Sequence, residues 1–476
     1  MTAQATESAS SHIAKTDGPT DALTAWLAAT TIDDIPAGVL DRALHLTLDG
    51  IGCALIGAKL PWSARAVDAL STLDGDGPAT LIGWGLGLAP SSAALLNGTF
   101  IQGFEFDDKC GPLHSAAIVV PAALATAEAT GVRSGSIVAL GLVLGYEVGP
   151  RLGAALDGAA LNKRGWSAGV FGALAAAATA ARIRNLDDAG FDNALGNAAT
   201  SASGVAADQF ESMAKRMAHG LAARNGVVAA ALAAAGYTGI KRVLERPRRG
   251  LTTFCFDGET HVESVPDGLG EHWEQTNILI KPYASGGATH AAVDAMLHAR
   301  TELGVRADDV RTVTIKLATP TFRHNGWVLE RPATELQAQI NIAYAAAVAL
   351  LDGAAYPAQF RPDRIDSDDV WDLLARTSAV HDPEMDTMPG LARGIRLDVA
   401  LVDGTVHHLE VANALGTKRK PMSNDQVRAK FRAATDGVVT AARAAEIERL
   451  VLALPSLSDI GPLLELLREP AAPVFG

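Results

Sequence analysis

The chain has 476 residues, 48% of them apolar and 20% charged, with a formal net charge of -13. That length exceeds what one hydrophobic core usually serves and predicts two domains. The acidic balance excludes non-specific nucleic-acid binding and a polybasic membrane contact, although a few local lysines in a cleft can still hold a small anion, because distant charges are screened. Three cysteines, Cys53, Cys110 and Cys255, have neither metal-ligand spacing nor the even count of a disulfide framework, which predicts a reducing, cytoplasmic setting. The opening MTAQATESASSHIAKTDGPTD is polar and lacks an apolar core, so a disordered lead-in is expected rather than a secretory signal.

From about residue 21 to 250 the pattern is helical. Pro36 suits a first helical turn, and Leu40, Ala43, Leu44, Leu48, Ile51 and Leu55 then recur at steps of three and four, marking one buried face. The same periodicity predicts helices over 91–102, 116–130, 137–156, 169–184, 186–203 and 221–235. The apolar stretch 137–148 is too short and too interrupted to span a bilayer. Aromatics make up only 5% and alanine is abundant, so close helix-on-helix packing is expected. After about residue 270 the texture changes. Residues 310–317 alternate like a strand, and 394–401 and 405–411 flank Asp403-Gly404, a hairpin turn signal. Helices over 290–301 and 336–351 lie among these strands, and helical periodicity returns over 427–435, 441–454 and 460–467. The chain therefore reads as mostly α: a large all-helical domain over 20–270, a smaller α+β lid domain over 271–415, and C-terminal helices over 416–476 that rejoin the helical domain.

Five segments carry candidate chemistry. Gly165-Trp166-Ser167-Ala168-Gly169 matches the G-x-S-x-G of a serine-hydrolase elbow, but that turn needs a buried strand before the serine, and ALNKR is not one. A glycine-rich turn opening the next helix is expected instead. FEFDDKCGPLHSAA gathers Glu105, Asp107, Asp108, Lys109 and His114 ahead of a helix. A magnesium site starting at Asp107-Asp108 would need further acidic ligands at helical spacing; Lys109 follows instead, so no metal is expected. His114 is of the residue type that moves protons near neutral pH. Lys215, Arg216, His219 and Arg224 crowd together before an apolar helix, an arrangement suited to a carboxylate or phosphate. Lys281 precedes a Gly-rich turn and a helix carrying His290, at the predicted domain boundary, where clefts form. Tyr344 lies inside an apolar helix, where a hydroxyl ordinarily finds a local partner. Residue type and spacing leave each of these open between a site and ordinary surface or core.

Taken together, LDGIGCALIGAKLPWS, EFDD with PLHSA, KRMAHGLAARNG, GYTGIKRVLER, IKPYA with THAAVDA and the late VLALPSLSDIGPLLELL resemble the MmgE/PrpD family, in particular its fungal itaconate-forming branch. The likeness runs in order from about residue 33 to 467. It implies a homodimer of two-domain subunits with the active site in the cleft between domains, and neither metal nor organic cofactor. By the same resemblance His114 is catalytic, Lys215 and Lys281 are pocket lysines, and Tyr344 is a pocket tyrosine. Glu105 stands where relatives carry an acidic pocket residue, Lys109 where a threonine or tyrosine is usual, and His219 and His290 match histidines of the pattern. Two departures stand out. The loop between Asp108 and His114 is shorter, and Gly165-Trp166-Ser167 stands where relatives read Gly-Trp-His, so Ser167 replaces a histidine. The implied reaction is cofactor-independent decarboxylation of a small tricarboxylate, cis-aconitate, to itaconate, with the lysines on its carboxylates, His114 as proton donor and Tyr344 assisting. Dehydration or epimerisation of another small polycarboxylate, or a catalytically weak carboxylate-binding paralogue, are the alternatives.

Overall fold

The computed structural model describes residues 18–207, 212–246, 250–252, 260–388, 391 and 394–475. Residues 1–17 of the polar lead-in and Cys255 lie outside the described residues; the end of that lead-in, Pro19 to Asp21, is not disordered but opens the Pro19–Ala29 helix. At the centre is the Gly169–Ile183 helix, in which every residue except Arg182 is buried. Its sequence, GVFGALAAAATAARI, is apolar on all sides, and such a helix is stable only when surrounded. The Ala116–Thr130, Gly135–Ala155, Asp188–Thr200 and Ala218–Ala234 helices surround it, and Pro90–Ile101 closes the group against two of them. Gly135–Ala155 is long and apolar enough to cross a membrane, longer than the 137–148 stretch suggested, but it is mostly buried within the protein. Gly141, Gly145 and Gly149 form a flat stripe along it, facing Ile183, Thr179 and Ala175 of the central helix.

Small residues set the helix spacing. A Cβ on Gly98 would stand 2.5 Å from the Ala117 carbonyl oxygen and 2.6 Å from the Gly220 Cα, so three helices meet here at backbone contact. Gly98→Ala must push rigid backbone apart. It is expected to lower stability by about 1–3 kcal/mol in urea denaturation with an unchanged m value.

Beyond the helical body, Thr377–His381, Val310–Leu317, Ile395–Leu401 and Val406–Val411 form a four-stranded sheet in that spatial order. The first pair is parallel and the others antiparallel. Val313, Ile315 and Leu317 alternate inward with Ile395, Leu397 and Val399, and the His290–Thr301 and Ile342–Asp352 helices pack beside the sheet. Two C-terminal helices return to the helical body: Asn424–Thr435 and Ala441–Leu452 both pack against Ala37–Ala58.

Among the contacts that join body and lid, two features lie closest to the candidate residues in the chain. Asp108–Lys109 pairs antiparallel with Leu279–Ile280. The buried Gln339 amide donates to the Phe104 carbonyl at 2.9 Å and the Ala284 carbonyl at 3.1 Å. Both features fall beside the candidate residues.

Candidate active site

The Pro90–Ile101 helix runs into a short 3-10 turn, Gln102–Phe104, and the chain then leaves it through Glu105 at φ 55°, ψ 30°. A non-glycine residue in the left-handed region is costly and persists only where its surroundings hold it. Here the side chain is held by three cations. The Lys215 Nζ stands 2.5 Å from Glu105 Oε1, Arg216 is 3.5 Å from the same oxygen, and the Lys281 Nζ is 3.1 Å from Oε2. Lys215 and Arg216 come from the 3-10 turn Met213–Arg216 that leads into Ala218–Ala234. Lys281 follows the strand paired with Asp108–Lys109, so that two-stranded ladder delivers it. Burial opposes ionisation of Glu105, but Lys215, Lys281 and Arg216 outweigh it and hold the carboxyl well below the usual range. Burial likewise opposes charge on Lys281, yet Glu105 and Asp107 keep it above the ordinary lysine value.

Asp107 and His114 form the second part of the site. Cys110 and Leu113 exchange backbone hydrogen bonds around Gly111, whose φ of 59° a side chain would resist, and this tight turn brings His114 back onto Asp107. The His114 Nδ1 lies 2.7 Å from Asp107 Oδ2, and the Lys281 Nζ lies 3.7 Å from Oδ1. Burial raises the Asp107 carboxyl, but His114 and Lys281 outweigh it, and the group sits below the usual range. An ionised Asp107 can only accept, so the proton of that bond is on His114 Nδ1 and the ring's Nε2 is left for other partners. The His219 ring meets His114 edge-on, 4.8 Å between centroids, and its Nδ1 is 2.9 Å from Gln102 Oε1. Burial, then the neighbouring His114 ring, push His219 down to about 3, so it is a neutral imidazole.

Asp108 turns away from Asp107 and accepts from the Ser115 and Ala116 backbone N–H groups, capping the Ala116–Thr130 helix. Adjacent carboxylates thus serve different ends, one on a histidine and one on a helix start, and they do not form a magnesium pair. Burial, reinforced by Asp107, raises Asp108 to about 8. A carboxyl raised above its unfolded value favours the folded state while protonated, and that contribution fades as pH climbs from about 4 to 8. Asp108→Asn keeps a capping oxygen and removes the titration. It is expected to flatten the loss of stability between pH 5 and pH 8, measured by urea denaturation at both.

Other sequence candidates fall at varying distance from this cluster. The Lys109 Nζ reaches the space beside Gly287, where a Cβ would come within 2.7 Å of it. His290 is buried, with Nε2 3.1 Å from the Ser285 carbonyl and its ring against Tyr283; burial, then Lys109, lower it to about 3. Ser167 is buried at the start of Gly169–Ile183, and its Oγ accepts from the Gly169 N–H at 3.3 Å. A helix, Gly158–Lys163, and a turn precede it, with no sheet strand entering the serine, so the motif is not a hydrolase elbow. Tyr344 is not brought to the cluster by any bond of its hydroxyl, which donates to the Gln359 carbonyl at 2.6 Å while the ring packs on Phe360. Arg216 and Asp107 were in view in the sequence, but only geometry shows that one faces Glu105 and the other holds His114.

A mostly helical body with a small α+β lid, and a cation cluster with a His–Asp pair at their junction, define the class. The chain belongs to the MmgE/PrpD family: the model for the MmgE/PrpD N-terminal domain matches residues 21–263 and that for the C-terminal domain matches 283–455. The chain is 39% identical to cis-aconitate decarboxylase-like protein oryM of Aspergillus oryzae, over 93% of this chain and 95% of that protein. It is 38% identical to a cis-aconitate decarboxylase of Aspergillus terreus, over 95% and 96% respectively, and 26% identical to cis-aconitate decarboxylase of Homo sapiens, over 94% of each.

Proposed function

We propose that the protein is a carboxy-lyase that converts cis-aconitate to itaconate without a cofactor. The observation that carries this reading is the convergence of Lys215, Arg216 and Lys281 with the Asp107–His114 pair. It is supported by 38% identity, over nearly the full chain, to a relative named for this reaction. The cations take the substrate's carboxylates in place of part of their contact with Glu105, which keeps them converged beforehand. Lys109 adds positive charge at the lid side.

The bond from the methylene carbon to its carboxylate breaks, and carbon dioxide leaves. The electron pair enters the adjoining double bond as an allylic anion, delocalised toward the carboxylate at its far end. Buried cations stabilise that developing charge more strongly than water does. His114 then delivers a proton from Nε2 to the carbon bearing the far carboxylate, which leaves a terminal methylene: itaconate. The trianion plus one proton becomes a dianion plus carbon dioxide, and His114 regains its proton from water. Asp107 fixes the ring so that Nε2 faces the reaction, and His219 packs beside it as the second imidazole where Ser167 supplies none.

A homodimer and a cytoplasmic location belong to the same proposal. Leu221, Val228 and Leu232 are exposed and share one face of Ala218–Ala234, opposite the His219 face, which suits a second copy. Cys53 and Cys110 are free thiols, which suits a reducing compartment.

A proton NMR time course of the purified protein with cis-aconitate tests the assignment. A pair of itaconate vinyl signals is expected. Unchanged cis-aconitate, or a methyl signal from protonation at the other allylic end, contradicts it.

A further inference from the structure

Behind the site lies a buried charge that the mechanism above does not use. Lys430 is on the Asn424–Thr435 helix and is 2% exposed. Its Nζ donates to the Phe106 carbonyl at 2.5 Å, across 324 residues of chain, and pairs with Asp49 Oδ1 at 2.6 Å. The ammonium also lies over the Phe106 ring, 4.0 Å from its centroid. Phe106 is the residue between Glu105 and Asp107, so Lys430 grips the backbone that carries both site carboxylates. Asp49 and Cys53 face it from Ala37–Ala58, Asp108 from the loop and Tyr356 from the lid.

A buried ion pair is a poor source of stability, because desolvation offsets the attraction and an apolar side chain of similar size packs as well. The carbonyl contact gives the ammonium a reason to be there. Glu105 sits in a strained left-handed conformation, and such a residue needs its neighbours fixed. We propose that Lys430 is a positioning residue for the decarboxylation: by holding the Phe106 carbonyl it sets Glu105 against the lysines and Asp107 against His114. The inference rests on the proposed function for its kinetic readout and on geometry alone for its spectroscopic one.

The test compares Lys430→Met, Asp49→Asn and the double variant with the wild-type chain. Lys430→Met loses the carbonyl contact and strands Asp49. The double variant loses the contact but buries no unpaired charge, and Asp49→Asn keeps the contact. The expected result is a fall in kcat of about 100-fold in both Lys430 variants, with KM changed far less, as misplacement of reacting groups produces. Asp49→Asn should retain most of the wild-type kcat, and the double variant should melt closer to wild type than Lys430→Met does. The downfield NMR resonance of the His114 Nδ1 proton, read without substrate, should move or broaden in the double variant. Recovery of kcat in the double variant, or an equal loss in Asp49→Asn, overturns the proposal by making the pair a matter of charge balance. An unmoved His114 resonance overturns it even if cis-aconitate is not the substrate, whereas a moved resonance without wild-type turnover sustains the positioning role and removes only the assigned reaction.

Discussion

Lys281→Met will lower kcat/KM for cis-aconitate by on the order of 100- to 1,000-fold, the range seen when one preorganised stabiliser of a developing anion is removed. Lys281 is expected to have the larger effect of the two lysines because it alone bridges the parts of the site, 3.1 Å from Glu105 and 3.7 Å from Asp107. It is also the more buried, with a side chain 4% exposed against 14% for Lys215. A buried cation is not replaced by water or salt when it is lost. The variant should also be less stable. Breaking a buried pair typically costs roughly 3–5 kcal/mol, and because Lys215 and Arg216 still face Glu105 the loss should stay toward the lower end. Steady-state assay of itaconate, with circular dichroism to establish folding, checks both. Wild-type turnover by a folded Lys281→Met protein would remove the lysine clamp from the account.

His114→Gln is expected to lower kcat for itaconate by roughly 100- to 10,000-fold, the usual worth of a positioned acid or base, while KM stays within a few-fold. The split follows from the geometry. His114 bonds Asp107 and packs on His219, whereas the charges assigned to substrate binding meet at Glu105. Loss of carbon dioxide needs no proton, so some decarboxylation should persist, with the allylic anion then quenched by water at either end. Product analysis should therefore show a methyl-bearing isomer that the wild-type protein does not make. A large rise in KM with unchanged kcat would instead make His114 a binding residue.

The periodic elements were legible in the sequence because local pattern decides them. Val310–Leu317, Ala116–Thr130 and His290–Thr301 form where three- to four-residue steps or alternation placed them. The 336–351 helix is in fact two, Glu335–Ile340 and Ile342–Asp352, because Asn341 is extended and its side chain caps the Tyr344 N–H. Thr377–His381 gave no strand signal: it is an edge strand whose residues are exposed or half-buried, so no apolar alternation marks it. The resemblance pointed to His114, Lys215 and Lys281, and folding brings them to one place. It could not show that Tyr344 spends its hydroxyl on Gln359, or that His219 lies against His114. Lys430 left no trace at all, since a lysine on an amphipathic helix normally faces solvent and its carbonyl partner is far away in the chain.

The most direct measurement is the position of the new hydrogen in the product formed in heavy water. If carbon dioxide leaves first and the cluster then protonates the carbon bearing the far carboxylate, itaconate will carry one deuterium, in the saturated methylene, and both vinyl positions will remain protiated. Deuterium in the vinyl methylene would mean that a substrate proton is removed before the carbon–carbon bond breaks, and that the site works by proton abstraction rather than by stabilising the anion left by carbon dioxide.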